Sequence, residues 1–172
     1  IILASEEGLR QLGRSLAQAV KVRAYGFASN PLGQVQDLLR LDTTAAATGE
    51  ALRDAGLTPQ DVQVAEVHDC FTIAELLMYE AIGWAEQGNG AELVLSGRTS
   101  LEGDLPVNTG GGLVGFGHPV GATGVKQAAE IYRQMKGLCG DYQIPRALHT
   151  GLTANMGGDD RTVVSLVLEN AS

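Results

Sequence analysis

The sequence has 172 residues, of which 44% are hydrophobic, and this is enough chain to bury one sizeable core. A formal net charge of −8 argues against nucleic acid and anionic membrane surfaces as partners. The longest apolar runs are far shorter than the roughly 20 residues that a membrane span needs, so no membrane span is expected. The two cysteines, Cys70 and Cys139, give no disulfide framework, which predicts a reducing, cytoplasmic location.

Hydrophobic periodicity and turn residues divide the chain into alternating strands and helices. After an apolar run at residues 1–4, the predicted elements in chain order are a helix from a Ser5 cap to about Leu12, a strand at 20–29, a loop or short helix at 31–41, a helix at 43–55, a strand at 61–67, a helix at 72–82, an excursion without a clear pattern at 84–97, a helix at 122–136, and strands at 146–153 and 161–168. The order β-α-β-α-loop-α-β-β is typical of an α/β fold in which helices cover a mixed sheet.

The most informative stretch is residues 108–124, which place His118 at the end of a glycine-rich loop and at the start of a helix. The glycines permit positive φ and a close approach of the backbone to a ligand. Pro119 fixes φ directly after the histidine, so the ring is held near the helix N-terminus, where the positive dipole end disfavours imidazolium. This arrangement predicts a neutral imidazole that donates a hydrogen bond to a carbonyl or enolate oxygen.

A glycine-rich loop before a helix also suits dinucleotides and phosphates. The dinucleotide fingerprint needs G-x-G-x-x-G directly after a strand and an acid about 20 residues further on, whereas residues 97–106 before this loop are polar and turn-like. The phosphate-binding pattern G-x-x-x-x-G-K-[S/T] does not occur in the sequence. A structural role for His118 stays open as the alternative to a catalytic one.

A second candidate cluster is the His-Asp-Cys-Phe sequence at 68–71, between a predicted buried strand and a helix. Open α/β sheets place their ligands at the carboxyl ends of strands. A thiol beside a helix N-terminus has its thiolate favoured, which makes Cys70 a candidate proton carrier or nucleophile. The alternative is that Cys70 is a small buried hydrophobe and His68 a satisfied loop residue. No metal site is predicted, because no second pair of ligands stands at zinc-ligand spacing and the other histidines are isolated.

These motifs resemble, in order and spacing, the C-terminal half of a thiolase. The likeness covers nearly the whole chain and rests on the His-Asp-Cys-Phe sequence at 68–71, the Gly-His-Pro-Val-Gly-Ala-Thr-Gly turn at 117–124 and the Asn-Met-Gly-Gly hairpin at 155–158. The first motif is similar to that of sterol-carrier-protein or lipid-transfer-type thiolases, where it replaces the Asn-Glu-Ala-Phe of other thiolases. The resemblance implies that residues 1–16 are the tail end of the N-terminal thiolase half with a connecting helix, and that residues 17–172 are the C-terminal thiolase domain.

The resemblance also implies roles for single residues. The histidine of the Gly-His-Pro motif activates the nucleophilic cysteine in thiolases and helps to bind the thioester oxygen, and His118 occupies this position. His68 would help to form the oxyanion hole, whose donors are typically worth about 2.7–4 kcal/mol of barrier each. Phe71 would border the acyl pocket, and Gly157 would offer a backbone N–H to the acyl intermediate.

Two departures from the family pattern concern cysteines. Many thiolases use a hairpin cysteine as acid and base, but this chain has Asn155 there, which leaves Asn155 as a substrate-binding candidate because an amide exchanges no proton at neutral pH. In the sterol-carrier-type subgroup Cys70 takes over this catalytic duty. The nucleophilic cysteine belongs to the N-terminal half, since Cys139 is predicted to lie in a surface turn past a helix. The chain alone is therefore expected not to catalyse thiolysis.

The implied function is that of a thiolase-type acyltransferase (acetyl-CoA acetyltransferase type), which forms or cleaves carbon–carbon bonds in acyl-CoA thioesters, with coenzyme A as substrate and no cofactor. Expected partners are the N-terminal thiolase half, further copies in a homodimer or homotetramer, and a small accessory subunit. Two alternatives stay open. One is a thiolase-like aldolase that lacks the nucleophile and acts on steroid side-chain CoA esters, and the other is a non-catalytic acyl-CoA or lipid-binding subunit.

Overall fold

The computed structural model describes residues 1–33, 37 and 39–171, and within them the predicted alternation of strands and helices is present. The elements are α1 (Glu6–Gln11), β1 (Val20–Ser29), α2 (Asp42–Ala55), β2 (Val64–Val67), α3 (Thr72–Ile82), α4 (Gly90–Leu95), α5 (Gly112–Phe116), α6 (Thr123–Met135), β3 (Thr150–Gly157) and β4 (Thr162–Asn170). Among these, β1 and α3 coincide with their predicted ranges. The predicted loop or short helix at 31–41 lies partly outside the described residues, at 34–36 and 38.

The strands form one mixed sheet in the order β1-β4-β3-β2. Strands β1 and β3 both pair antiparallel with β4, whereas β2 lies parallel to β3. Beyond β2, Val107 makes a single parallel bridge with Ala65, so the segment that leads into the glycine-rich loop lies at the edge of the sheet. The prediction of an α/β fold with a mixed sheet is confirmed.

Helices cover both faces of this sheet, because successive side chains of a strand point to opposite faces. In β2, Ala65 and Val67 belong to the hydrophobic core under α2 and α3, while Val64 belongs to a second core with Ile131 of α6. A fully buried side chain of this kind contributes about 1.5–3 kcal/mol to folding. The second core fixes α6, and with it the loop before α6, against the sheet. No helix among the described residues combines the length and apolar composition that crossing a bilayer requires.

Three strand predictions differ from the structure at their boundaries. Strand β2 starts later than predicted because a turn of 3-10 helix, Pro59–Asp61, occupies its expected beginning. The backbone N–H and the hydroxyl of Thr58 both donate to the Asp61 carboxylate at 2.7 Å, and this closes the turn. Strands β3 and β4 start and end later than predicted. The end of β3 shifts because its ladder with β4 continues to the hairpin, and the end of β4 shifts because Asn170 still pairs with Val20 of β1. Residues 1–4, whose apolar pattern resembles a strand, are not in one.

Two short helices lie where no regular structure was predicted. Helix α4 interrupts the excursion at 84–97, and α5 lies inside the glycine-rich loop. Glycine is among the poorest helix formers, so local propensity predicts a loop at 110–117. Contacts with another motif, described below, hold α5 in place.

Candidate active site

His118 lies between α5 and α6, and its ring is oriented by the first residue of α6. Its Nδ1 is 2.6 Å from the hydroxyl oxygen of Thr123. Because that hydroxyl donates its own proton to the carbonyl oxygen of Pro119 at 3.3 Å, its oxygen accepts the proton on Nδ1. The neutral ring therefore carries a lone pair on Nε2. In this tautomer Nε2 can accept a proton and, once protonated, can donate to an oxygen, so the donor role of His118 stays a prediction.

His68 lies directly beside His118, and we call these two residues the histidine pair. Their ring centroids are 5.0 Å apart and the ring planes meet at 89°. His68 is 5% exposed, and its Nδ1 is 3.0 Å from the side-chain oxygen of Asn155 in β3. Burial lowers the pKa of His68, and the neighbouring His118 acts in the same direction, while the hydrogen bond with Asn155 opposes them. Two charged rings at this distance would repel each other, so the histidine pair is suited to carrying one proton at a time.

Asp69 joins the two sequence motifs, and sequence reasoning missed it as a functional residue. Its buried carboxylate accepts hydrogen bonds from the backbone N–H groups of Leu113 at 2.7 Å and Val114 at 3.4 Å. These are donors in the first turn of α5, which a helix leaves without internal partners. Asp69 therefore fastens the short helix that leads to His118. The only signal for this role was an acid inside a motif that also carries a histidine and a cysteine.

A glycine at the start of α5 makes room for this carboxylate. A Cβ at Gly112 would overlap the Asp69 side chain, approaching its Oδ1 within 2.6 Å, and Gly112 has a φ of +57°. We therefore expect Gly112→Ala to reduce the free energy of unfolding by about 1–3 kcal/mol, through overlap and backbone strain. Chemical denaturation of the protein measures this change.

Gly115→Ala in the same helix is the matched control, because a Cβ there would meet no atom within 4 Å. We expect its stability to match or exceed the wild type, since alanine is the better helix former. Equal losses in Gly112→Ala and Gly115→Ala would contradict the role assigned to Asp69.

Cys70 lies in the wall of a cavity of about 110 Å³, together with Phe71, Leu77 and Met156. Neither member of the histidine pair is among the described residues that line this cavity. Burial raises the pKa of the Cys70 thiol, and this corrects the prediction that the helix N-terminus favours the thiolate. The physical reason is that Cys70 precedes the cap residue of α3, so loss of water outweighs the helix dipole there.

Phe71, Gly157 and Cys139 are the remaining residues that the sequence analysis singled out. Phe71 borders the cavity of Cys70, with its side chain 70% exposed. Gly157 lies exposed at the end of β3, two residues after Asn155. Cys139 is 3% exposed, which corrects its placement in a surface turn. The structure thus brings His68, His118 and Asn155 together and places Cys70 beside a neighbouring cavity.

A buried ion pair lies on the α6 side of β2 and was not predicted. The Nζ atom of Lys126 is 2.8 Å from a carboxylate oxygen of Glu66, and it also lies 4.9 Å from the centroid of the Phe116 ring at the end of α5. Burial raises the pKa of Glu66 to about 7, although the attraction of Lys126 acts in the opposite direction. Glu66 lies inside an apolar strand, and its partner comes 60 positions later, so no local pattern could reveal the pair.

The raised pKa of Glu66 predicts a pH-dependent stability. The folded protein holds this proton up to about pH 7, whereas the unfolded chain releases it near the ordinary value of 4.5. The stabilisation from the protonated form is thus complete at low pH and is lost as the pH rises through about 7. We expect the wild type to lose stability relative to Glu66→Gln between about pH 5 and about pH 8.

Denaturant unfolding of both proteins across this range is the measurement, with the exposed Glu102→Gln as the control. A stability difference between wild type and Glu66→Gln that stays constant with pH would contradict the assignment.

Comparisons with known proteins agree with the fold. Residues 24–170 match the profile of the family described as thiolase C-terminal domain-like. An acetyl-CoA acetyltransferase of Methanothermobacter thermautotrophicus is 42% identical over 143 residues, which are 83% of this chain and 37% of that protein. Human sterol carrier protein 2 is 36% identical over 170 residues, which are 96% of this chain and 31% of that protein. The chain therefore spans about a third of the length of these relatives.

Among solved structures, the Ltp2-ChsH2(DUF35) aldolase is similar in fold, with a TM-score of 0.73 and 21% sequence identity. The similarity covers 85% of this chain and 38% of that chain. The order of strands and helices, the mixed sheet and the family profile all agree. The chain belongs to the thiolase C-terminal domain family.

Proposed function

We propose that this chain is the C-terminal domain of a thiolase-type acyltransferase, which forms or cleaves carbon–carbon bonds in acyl-CoA thioesters. The observation that carries the proposal is the histidine pair, with centroids 5.0 Å apart at the carboxyl end of β2 and the start of α6. Two imidazoles at one point, one with its Nε2 lone pair available, suit the transfer of a thiol proton and the binding of a thioester oxygen.

The nucleophilic cysteine is proposed to come from an N-terminal thiolase half in a longer protein. Neither cysteine of this chain suits that role, because burial raises the pKa of both thiols and keeps them protonated. The relatives, about three times as long as the matched region, also support a second half.

An uncovered apolar surface supports the same partner. On the sheet face that carries α6, Tyr25 is 67% exposed and Phe27 55% exposed. Val164 lies opposite Phe27 in the ladder and is also exposed. Phe116 and Val120, which flank His118, are exposed as well. Exposed apolar side chains grouped in this way are typical of an interaction site, and a second thiolase half would cover them.

In the proposed reaction, His118 Nε2 takes the proton of the nucleophilic thiol, and the thiolate attacks the ketone carbonyl of a 3-oxoacyl-CoA. The imidazolium then donates a hydrogen bond to the oxygen on which negative charge develops, next to His68. When the carbon–carbon bond breaks, the acyl group stays on the cysteine and acetyl-CoA leaves as its enolate. The protonated Cys70 thiol gives this enolate its proton and becomes a thiolate. Coenzyme A then gives its thiol proton to Cys70, its sulfur takes the acyl group, and the departing cysteine thiolate recovers its proton from His118. Condensation is the reverse sequence.

Phe71 and Gly157 are proposed to contact the acyl chain and the acyl intermediate, and coenzyme A is the proposed substrate without a further cofactor. Homodimers or homotetramers, a small accessory subunit and a cytoplasmic location belong to the same proposal.

The charge of the substrate points to a partner as well. The phosphates of acyl-CoA thioesters are negative, and this chain has a net charge of −8, so a positive binding surface is proposed to come from outside this chain.

A thiolase-like aldolase is the second candidate, and the raised pKa of both thiols in this chain is the observation that favours it. An aldolase acting on steroid side-chain CoA esters needs no nucleophilic cysteine. A non-catalytic acyl-CoA or lipid-binding subunit would need neither the cysteine nor a protonatable histidine pair.

The full-length protein separates these candidates when it is given a 3-oxoacyl-CoA with free coenzyme A and, separately, a 3-hydroxyacyl-CoA. We expect thiolysis of the first substrate, with release of acetyl-CoA and a shortened acyl-CoA. Cleavage of only the 3-hydroxyacyl-CoA, to a carbonyl product and acetyl-CoA, would favour the aldolase. Binding of both without turnover would favour the binding subunit.

A further inference from the structure

Asn155 is held rigidly at a central place in the sheet. It lies in β3 opposite Val164 of β4, and its neighbours in sequence, Ala154 and Met156, are buried in the core under α2 and α3. Because strand side chains alternate, the Asn155 side chain points to the other face, where His68 and α6 lie. The backbone therefore fixes where this amide can reach.

The amide group contacts one nitrogen of His68. The Asn155 side-chain oxygen lies 3.0 Å from Nδ1 of His68. An amide oxygen can only accept, so this contact requires the proton of the neutral ring on Nδ1 and leaves a lone pair on Nε2. His118 has the same arrangement through Thr123.

Gly124 on α6 leaves room for this amide because glycine has no side chain. A Cβ at Gly124 would lie 3.1 Å from the amide nitrogen of Asn155 and 3.5 Å from its Cγ, tighter than ordinary packing for the first of these contacts. The first turn of α6 thus orients both rings: Thr123 holds His118 directly, and Gly124 packs against the amide that holds His68.

We propose that Asn155 is a positioning residue for His68, which accepts the Nδ1 proton and leaves Nε2 as an acceptor next to His118. Asn155 then acts through His68 and does not bind substrate, in contrast to its assignment from the sequence. In the resting site both rings present unprotonated Nε2 atoms. A single proton, delivered by the nucleophilic thiol, converts one of them into a donor for the thioester oxygen.

The test is NMR of isotope-labelled histidine in the full-length protein, with the His68 signal assigned by His68→Gln. We expect the wild type to hold the proton on Nδ1 of His68. Asn155→Ala is expected to give a mixture of both tautomers, whereas Asn155→Asp, which keeps an acceptor, restores the Nδ1–H form. A wild-type proton on Nε2, or an unchanged tautomer in Asn155→Ala, would overturn the proposal.

Gly124→Ala tests the same contact from the other side. It is expected to shift the His68 signal in the wild-type background and to have no further effect on it in the Asn155→Ala background, because the two changes act through one contact. Gly49→Ala is the control, since Gly49 is exposed on α2 with no atom within 4 Å of its added Cβ. Independent, additive effects of Gly124→Ala and Asn155→Ala would count against the proposal.

The kinetic arm rests on the proposed function. In thiolysis, Asn155→Ala is expected to lower kcat about tenfold with little change in KM, the scale of losing one hydrogen bond that orients a catalytic ring. A raised KM with unchanged kcat would instead assign Asn155 to substrate binding. The NMR results decide the positioning role even if the protein cleaves no thioester, so failure of the two proposals can be told apart.

Discussion

Replacing His118 by alanine in the full-length protein is expected to lower the rate of acyl transfer by about 10²–10⁴-fold, the usual range for loss of a general acid or base. The ring accepts the thiol proton on Nε2, because Thr123 holds the Nδ1 proton at 2.6 Å. Without this acceptor, the nucleophilic cysteine stays protonated and the thioester oxygen loses a donor. The measurement is the rate of thiolysis under saturating substrate.

The fold should tolerate this change, because the His118 side chain is exposed and no core packing depends on it. His118→Asn can keep a hydrogen-bond donor but transfers no proton, so we expect it to impair acylation of the cysteine more than it weakens binding. His149→Ala is the matched control, since His149 is exposed at the opposite end of β3. Intact turnover in His118→Ala, with weaker thioester binding, would contradict the catalytic role and support a binding subunit.

Cys70→Ala is expected to lower condensation by about 10²–10⁴-fold while acylation of the nucleophile suffers less. Burial raises the pKa of this thiol, so at neutral pH it carries the proton that the enolate needs during cleavage. During condensation the same sulfur must remove the α-proton, and its raised pKa makes it a strong base once it has lost its own. Burst kinetics separate acylation from condensation in one experiment.

Cys139→Ala is the control for this substitution, because Cys139 is buried away from both the histidine pair and the cavity of Cys70. We expect it to keep its turnover. Turnover near the wild-type level in Cys70→Ala would contradict the catalytic role and support the alternative that Cys70 is a small buried hydrophobic residue. The separate cavity in which Cys70 lies would then be a packing feature.

Sequence reasoning located the elements whose boundaries are set by local chemistry. From Ala24 to Ser29, strand β1 alternates between more and less exposed positions. Helix α2 ends at Ala55, and the Gly56 that follows has a φ of +68°, which glycine adopts at low cost. The sequence also identified the His-Asp-Cys-Phe and Gly-His-Pro motifs as candidate functional sites. In the second motif glycine, histidine and proline stand together, a combination that few purely structural roles require.

The features that sequence reasoning missed depend on contacts between distant segments. Helix α5 lies in a glycine-rich segment, and the Asp69 carboxylate stabilises its first turn by accepting a hydrogen bond from the Leu113 N–H. Glu66 is a charged residue inside an apolar strand, and only the fold shows that Lys126 lies beside it as its partner. The proton position on His118 follows from one hydroxyl group, and no composition or spacing rule specifies where that hydroxyl points. Cys139 was predicted in a surface turn because it follows a helix, yet the Gln143 side chain, hydrogen-bonded to the Gln134 carbonyl oxygen, holds that segment against α6.

The central claim is that His118 of this chain serves a cysteine that lies outside it. Mass spectrometry of peptides from the full-length protein, digested after incubation with an acyl-CoA, tests this claim most directly. We predict an acyl group on a cysteine outside the 172 residues of this sequence, and after the same brief incubation far less acylated peptide from His118→Ala. An acyl group on Cys70, or thioester turnover without any acylated cysteine, would contradict it.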